Sequence, residues 1–254
     1  HPDLHPLHRR QRQMCIRDSA TSLEDIPVDV LTNVLLNHVI IGEVQSSSLT
    51  NGYASTQAVS GASGTNMSIY INTDNGVTFN GVSSVTSADV VASNGIVHIV
   101  DAVIGLPSVV TFALADPNFS SLVQALTAYD YPQSFVGLLS IPAGSAPSPF
   151  TVFAPVNSGF ESLLDELGVN SLYDIDEQTL GAVLSYHVVV SVNQMSNTLS
   201  DGMVITTSLA QANPSIADLT FNVGDNGEGI LTDNNGRTSN IIAVDVQADN
   251  GIIP

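Results

Sequence analysis

The sequence predicts an α+β fold in two tandem copies, and three observations predict it. The first is self-similarity. Ser22-Leu23, Asp25-Ile26, Leu31, Val34-Leu35 and His38-Val39 match Ser171-Leu172, Asp174-Ile175, Leu180, Val183-Leu184 and His187-Val188 without a gap, at a constant offset of 149. Further on, Asp89-Val90 and Asn94-Gly95-Ile96 match Asp245-Val246 and Asn250-Gly251-Ile252 at an offset of 156, so the second copy carries a few extra loop residues. The second observation is the order of periods: in each copy a helical spacing comes first and a period of two follows. The third is turn chemistry. Asp74-Asn75-Gly76 and Asp225-Asn226-Gly227 hold the Asn-Gly pair that supplies positive φ in hairpin turns, and Asn94-Gly95 and Asn250-Gly251 read the same way.

Residues 1–19 read as a non-native lead. They hold four of the five basic residues and the single cysteine, Cys15. Met14-Cys15-Ile16-Arg17-Asp18-Ser19 lacks the apolar core of roughly 7 to 15 residues of a secretory signal. It resembles translated adapter sequence and is set aside. Residues 20–107 form the first copy and 108–254 the second. Pro27 suits the first turn of a helix in which Leu31, Val34, Leu35 and His38 share one face. Strands follow over 68–72, 77–79 and 85–91. Val109 to Phe112 leads the second copy, and Asp116-Pro117 caps a helix with the stripe Phe119, Leu122, Val123 and Leu126.

Residues 141–149, with three prolines, predict a surface loop that projects toward a partner. Phe150 to Phe153 alternates like a half-buried strand that Pro155 stops. Ser158 and Glu161 form a capping box that opens a helix. Its Phe160, Leu163, Leu164 and Leu167 should lie on the sheet, and Gly168 ends it. Leu180, Val183, Leu184 and His187 repeat the earlier helix face, and strands over 204–207, 219–223 and 239–247 complete the copy.

The eleven residues from Phe150 to Phe160 resemble the first signature of the fasciclin domain, an extracellular adhesion module: they keep its Thr151-Val152-Phe153-Ala154-Pro155 core and the Asn157 and Phe160 that follow. The block from Ser93 to Ile104, containing Asn94, Gly95 and His98, resembles the second signature, an Asn-Gly turn feeding the last strand. Tyr186-His187-Val188 resembles the family's tyrosine-histidine motif, implicated in integrin-dependent adhesion in animal members. The resemblance covers nearly all of 20–254 and implies a fasciclin-like β-sandwich or wedge with packed helices. By comparison of the copies, the first lacks its own Thr-Val-Phe-Ala-Pro strand and the second stops in its last strand. Such loss exposes a sheet edge that invites pairing. The implied function is adhesion to extracellular protein or polysaccharide by a secreted, periplasmic or cell-surface protein, with tandem copies adding avidity. No enzymatic activity and no cofactor are implied.

Composition narrows the alternatives. With 43% hydrophobic residues the chain can bury a sizeable core. No run of about 18 apolar residues is present, so nothing spans a bilayer as a helix. Beyond the lead, Arg237 stands alone against 22 acids, a formal charge of -21. A body so acidic repels phosphate backbones and anionic lipids, which disfavours nucleic acid and membrane-surface partners. That body has no thiol and no lysine, and it contains no Gly-x-Ser-x-Gly elbow, phosphate loop or His-Glu-x-x-His helix.

His187 falls on an apolar helix face, which predicts a core imidazole with one hydrogen bond. The first copy keeps His38 but has Asn37 in place of Tyr186, which favours a structural role for the histidine. His38 and His187 occupy equivalent places in different copies and should lie far apart, so no zinc site is assigned. The acidic turns 225–228 and 233–236 offer oxygens that could hold calcium loosely, but they lack the spacing of an EF-hand, and their residues are also ordinary turn formers. Two further readings are carried: an apolar ligand pocket between helices and sheet, and a hydrolase with a serine in reach of His187 or His98.

Overall fold

The structure, a computed structural model, describes residues 23–212 and 218–254. The lead of residues 1–19 lies outside the described residues. In the first unit, α1 (Val28–Leu36) starts after Pro27, whose extended backbone makes it the cap and not a first-turn residue. The Asn33 side chain brackets Val59, donating to its carbonyl and accepting from its N-H at 2.8 Å each, so α1 is tied to a strand the way a neighbouring strand would be. That strand, β1 (Gly52–Val59), opens a sheet with β2 (Asn66–Asn72), β3 (Thr78–Phe79), β4 (Ser83–Ala92) and β5 (Gly95–Val100), ordered as in sequence and antiparallel throughout. No residue of α1 is fully buried: of the predicted face, Leu31 and Val34 are half-buried, while Leu35 and His38 are exposed.

The second unit begins with α2 (Val109–Ala115), where Ser108 and Thr111 form a reciprocal capping box. Asp116 then caps the single turn Pro117–Phe119, and α3 (Ser120–Thr127) and α4 (Phe135–Leu139) follow. After these come β6 (Phe150–Val152), α5 (Asn157–Leu167), α6 (Glu177–Tyr186), β7 (Val188–Val190), β8 (Met203–Ile205), α7 (Ser208–Ala212), β9 (Leu219–Val223), β10 (Gly229–Thr232), β11 (Thr238–Asn240), β12 (Val246–Gln247) and β13 (Gly251–Ile253). Two four-stranded sheets result, ordered β11-β10-β9-β8 and β12-β13-β6-β7. Phe153, Val189, Ile205, Leu219, Phe221 and Leu231 pack between them as a small sandwich core. The larger core lies on the helical side, where Phe150 and Val152 meet Phe112, Leu122, Phe160 and Leu180. β6 thus faces the helical core with Phe150 and Val152, and Phe153 just beyond it turns to the sandwich core.

Four expectations are corrected. Ser158 and Glu161 make no capping box: Val156 precedes the helix without a side-chain cap, and Ser158 sits inside it, its carbonyl accepting from Ser162. Helix α5 packs on α3, its Phe160 sharing the helical core with Phe150 and Val152, while Leu167 of the expected face is exposed. The strand expected over 239–247 is two short ones, β11 and β12, separated where Asp245 turns to φ 59°. Gly251 is not among the positive-φ residues; its need for glycine is spatial, since a Cβ there would stand 2.3 Å from the Phe150 carbonyl oxygen. Residues 141–149 form a loop as expected, but its end is held: Ser191 and Val192 donate backbone bonds to the carbonyls of Pro147 and Pro149.

A polar joint holds the two units together. Buried Ser60 donates to the Ala248 carbonyl at 2.7 Å, and Gln247 donates to Ser60 at 3.1 Å. Ser68 accepts from the Gln247 N-H, and Tyr53 donates to Asp116 while its ring meets Phe112 edge-on at 5.4 Å.

Candidate functional site

The first signature is placed in the middle of the second unit. Phe150, Thr151, Val152 and Phe153 are all buried. Thr151 Oγ1 donates to the Val192 carbonyl and accepts from the Gln194 N-H, both at 2.9 Å, so the hydroxyl pins the chain leaving β7. Ala154 and Pro155 are partly buried and line an apolar slot beside α2, α3 and α6. Asn157 acts at a distance. Its Oδ1 accepts from the Ser121 N-H and Ser120 hydroxyl while Nδ2 donates to the Pro117 carbonyl, so it satisfies one of the free backbone donors at the start of α3.

Each histidine is fixed by backbone. His187 Nδ1 donates to the Val183 carbonyl at 2.8 Å, and His38 Nδ1 donates to Val34 at the same distance. The offset of 149 thus relates bonds as well as residues. Nε2 of His38 accepts from the Ile104 N-H at 3.0 Å, a pair of bonds that only the neutral Nδ1-H ring can make. His98 has the other tautomer: Nε2 donates to the Val44 carbonyl and Nδ1 accepts from Asp89 N-H. Burial pushes the His187 pKa below its ordinary value, partly opposed by the Val183 bond. Asn37, the counterpart of Tyr186, is buried and donates to the Gly105 carbonyl while accepting from Thr56.

Tyr186 lies near the one ion network of the described residues, where Arg237 reaches Asp233 and Glu166 at 2.6 Å each. Burial raises the phenol's pKa, and the charge of Asp233 adds to this. Both oxygens of Asp233 are taken: Oδ1 accepts from the Asn235 and Arg237 N-H groups and Oδ2 from the guanidinium. Among the described residues no group of three or more His, Cys, Asp and Glu side chains is arranged to hold a metal ion.

A repeated device escaped the sequence reading. Asp89 and Asp245 both adopt φ 59°, and each carboxylate grips the N-H and hydroxyl of one serine, Ser46 in the first unit and Ser196 in the second. The matched Asp-Val pairs were the only local signal, because their serines lie 43 and 49 residues away. The signature residues do not converge on one another: Asn94, Gly95 and His98 belong to the β4–β5 hairpin of the first unit, and the others to the second.

The apolar slot beside α2, α3 and α6 has a volume of only about 20 Å³. Two open grooves are larger, near 680 Å³ beside β5 and 620 Å³ between Tyr131 and α6.

The fasciclin domain model matches twice, over residues 17–107 and 117–254. The chain belongs to the fasciclin domain family. The fasciclin pair is similar to the Synechocystis protein sll1735, with 30% identity over 58% of this chain and 92% of that protein. It is similar to human periostin at 26% identity over 88% of this chain but only 24% of periostin. Among solved structures, the FAS1 domain pair of the insect cell adhesion molecule fasciclin I superposes with a TM-score of 0.52 at 19% identity, covering 97% of this chain and 82% of that one. That likeness establishes the shared tandem fold. No helix of the described residues is long and apolar enough to cross a membrane.

Proposed function

We propose that this fasciclin pair is an adhesion module, not an enzyme, that contacts extracellular proteins or polysaccharides as part of a secreted, periplasmic or cell-surface protein, with its units at 20–107 and 108–254. The observation that carries the reading is the double fasciclin match, together with a tandem fold shared with a cell adhesion molecule. The bonds of the three histidines lend it further support, since all go to backbone groups. The signature residues of the first motif and Asn157 are spent inside the scaffold, which leaves recognition to outer faces. A ligand carrier is the weaker reading: pockets for small molecules run to about 300 Å³ or more, against 20 Å³ in the apolar slot beside α2, α3 and α6, and the larger grooves are open to solvent.

The test is binding of the intact chain to immobilised matrix proteins and polysaccharides, with and without calcium. Saturable binding that survives moderate salt supports adhesion. Absence of binding, with a small molecule copurifying, overturns it.

A further inference from the structure

We propose that Asn75-Gly76 is a site of spontaneous self-modification, where the asparagine cyclises on the next backbone nitrogen and opens to isoaspartate and aspartate, and that the fold withholds the same reaction from Asn250-Gly251. The sequence contains its own control, because Asp-Asn-Gly occurs three times, at 74–76, 225–227 and 249–251. Glycine has no Cβ to shield the attacking nitrogen. With the same residue on either side of each asparagine, a difference in rate comes from structure. The step balances. Gly76 N bonds to Asn75 Cγ and gives its proton to water, the Cγ–Nδ2 bond breaks, and ammonia leaves with the electron pair and a proton from water. Water then opens the cyclic imide. Attack at Cγ leaves aspartate; attack at the backbone carbonyl leaves a chain that runs through Cγ and is one methylene longer. Nothing is oxidised or reduced.

For Cγ to reach the nitrogen, the carboxamide must be free to turn and the N-H free to lose its proton. The three copies differ in both respects. Asn75, in the turn between β2 and β3, is exposed, and its carboxamide makes no hydrogen bond among the described residues. Gly76 N-H has no turn bond there either. Asn226, between β9 and β10, is also exposed, but Gly227 N-H donates to the Gly224 carbonyl at 2.9 Å and Asn226 N-H to Glu228 Oε2 at 3.0 Å. Asn250, between β12 and β13, is buried and fully engaged. Its Nδ2 donates to the Leu139 and Ile141 carbonyls at 2.8 and 2.9 Å, and its Oδ1 accepts from the Val109 N-H at 3.1 Å. Turning that carboxamide breaks all three bonds. The rates therefore fall from Asn75 to Asn226 to Asn250.

Modification at Asn75 sets a second carboxylate beside Asp74. Asp74 Oδ1 accepts from Asn51 Nδ2 at 2.8 Å, and Asn51 Oδ1 in turn accepts from the Thr73 N-H and hydroxyl at 2.7 and 2.8 Å. A like charge at the next position and an added methylene strain that clip, so the outer turn of the first sheet gains charge and slack. The same event at Asn250 would strip partners from the start of α2 and the end of α4, in the hairpin that carries β6. This inference stands apart from adhesion: the reaction runs whether or not the chain binds a partner.

The experiment incubates the intact chain at mildly alkaline pH, digests samples with pepsin and follows the three peptides by mass spectrometry, with electron-transfer fragmentation to separate isoaspartate from aspartate. Asn75 should react about fivefold faster than Asn226, the weight of one backbone bond, and about a hundredfold faster than Asn250, which must give up three. In concentrated urea the three should react at closely similar rates. Asn75→Gln, whose longer side chain would have to close a larger ring, should remove the leading acidic species seen on ion exchange. An Asn75 that stays intact in the folded chain while reacting in urea, an Asn226 or Asn250 that matches or overtakes it, or a leading acidic species that persists in Asn75→Gln would overturn the proposal.

Discussion

Gly251→Ala is the sharpest test of how β6 and β13 are joined. The added Cβ would lie 2.3 Å from the Phe150 carbonyl oxygen and 3.0 Å from both its C and N atoms. All three are backbone atoms in the middle of a sheet, so no side chain can swing away. The strands must part, and the Phe150 N-H bond to Asn250 O goes with them. Overpacking of a well-filled core costs about 1–3 kcal/mol and a lost backbone bond about 1 kcal/mol, so the expected loss is about 3 kcal/mol. For a chain of this size that lowers the Tm by roughly 6–12 °C. Differential scanning calorimetry reads it. A Tm within about 2 °C of the parent would refute the close approach.

Three further outcomes are expected. Thr151→Val keeps the shape but strips the hydroxyl that serves Val192 O and Gln194 N, so urea titration should show a loss of about 2 kcal/mol. Asp245→Ala removes the grip on Ser196 and leaves alanine at φ 59°; Asp245→Gly loses the grip alone, and should be the more stable of the two by about 1 kcal/mol. Because burial lowers the folded-state pKa of His187, the unfolded chain takes up the proton first as pH falls through about 6.5. Stability from this group is whole above that pH and declines below it, so the gap between parent and His187→Gln in midpoint urea should narrow from pH 8 to pH 5.5. A gap independent of pH would count against a neutral buried ring.

Helices α3, α5 and α6 were legible because their apolar stripes repeat at helical spacing, and β9 was legible in full. Strand β1 was not, since its buried residues include Thr56 and Ala58, which an apolar pattern does not register. The Ser158 and Glu161 pairing misled because Asn157, one residue earlier, is already helical and serves α3. Asn250-Gly251 looked like its counterpart Asn94-Gly95 in sequence, yet the demand on Gly251 comes from a strand a hundred residues away. The serine grips of Asp89 and Asp245, and the joint of Ser60 with Gln247, are likewise contacts across long separations that no local period records.

Arg237, described above as the hub of the ion network, is also the single point at which trypsin can cut between residue 18 and the C-terminus. Its side chain is 56% exposed. One cleavage there leaves β11, β12 and β13 on a 17-residue piece (238–254) with no covalent tie to the rest. That piece carries Gln247, Ala248 and Gly251, so it bears the Ser60 and Ser68 part of the joint to the first unit and the central strand beside β6. A nicked chain that still migrates as one particle would show that packing alone retains it, and one that falls apart would lose the sheet and the tandem arrangement in a single step.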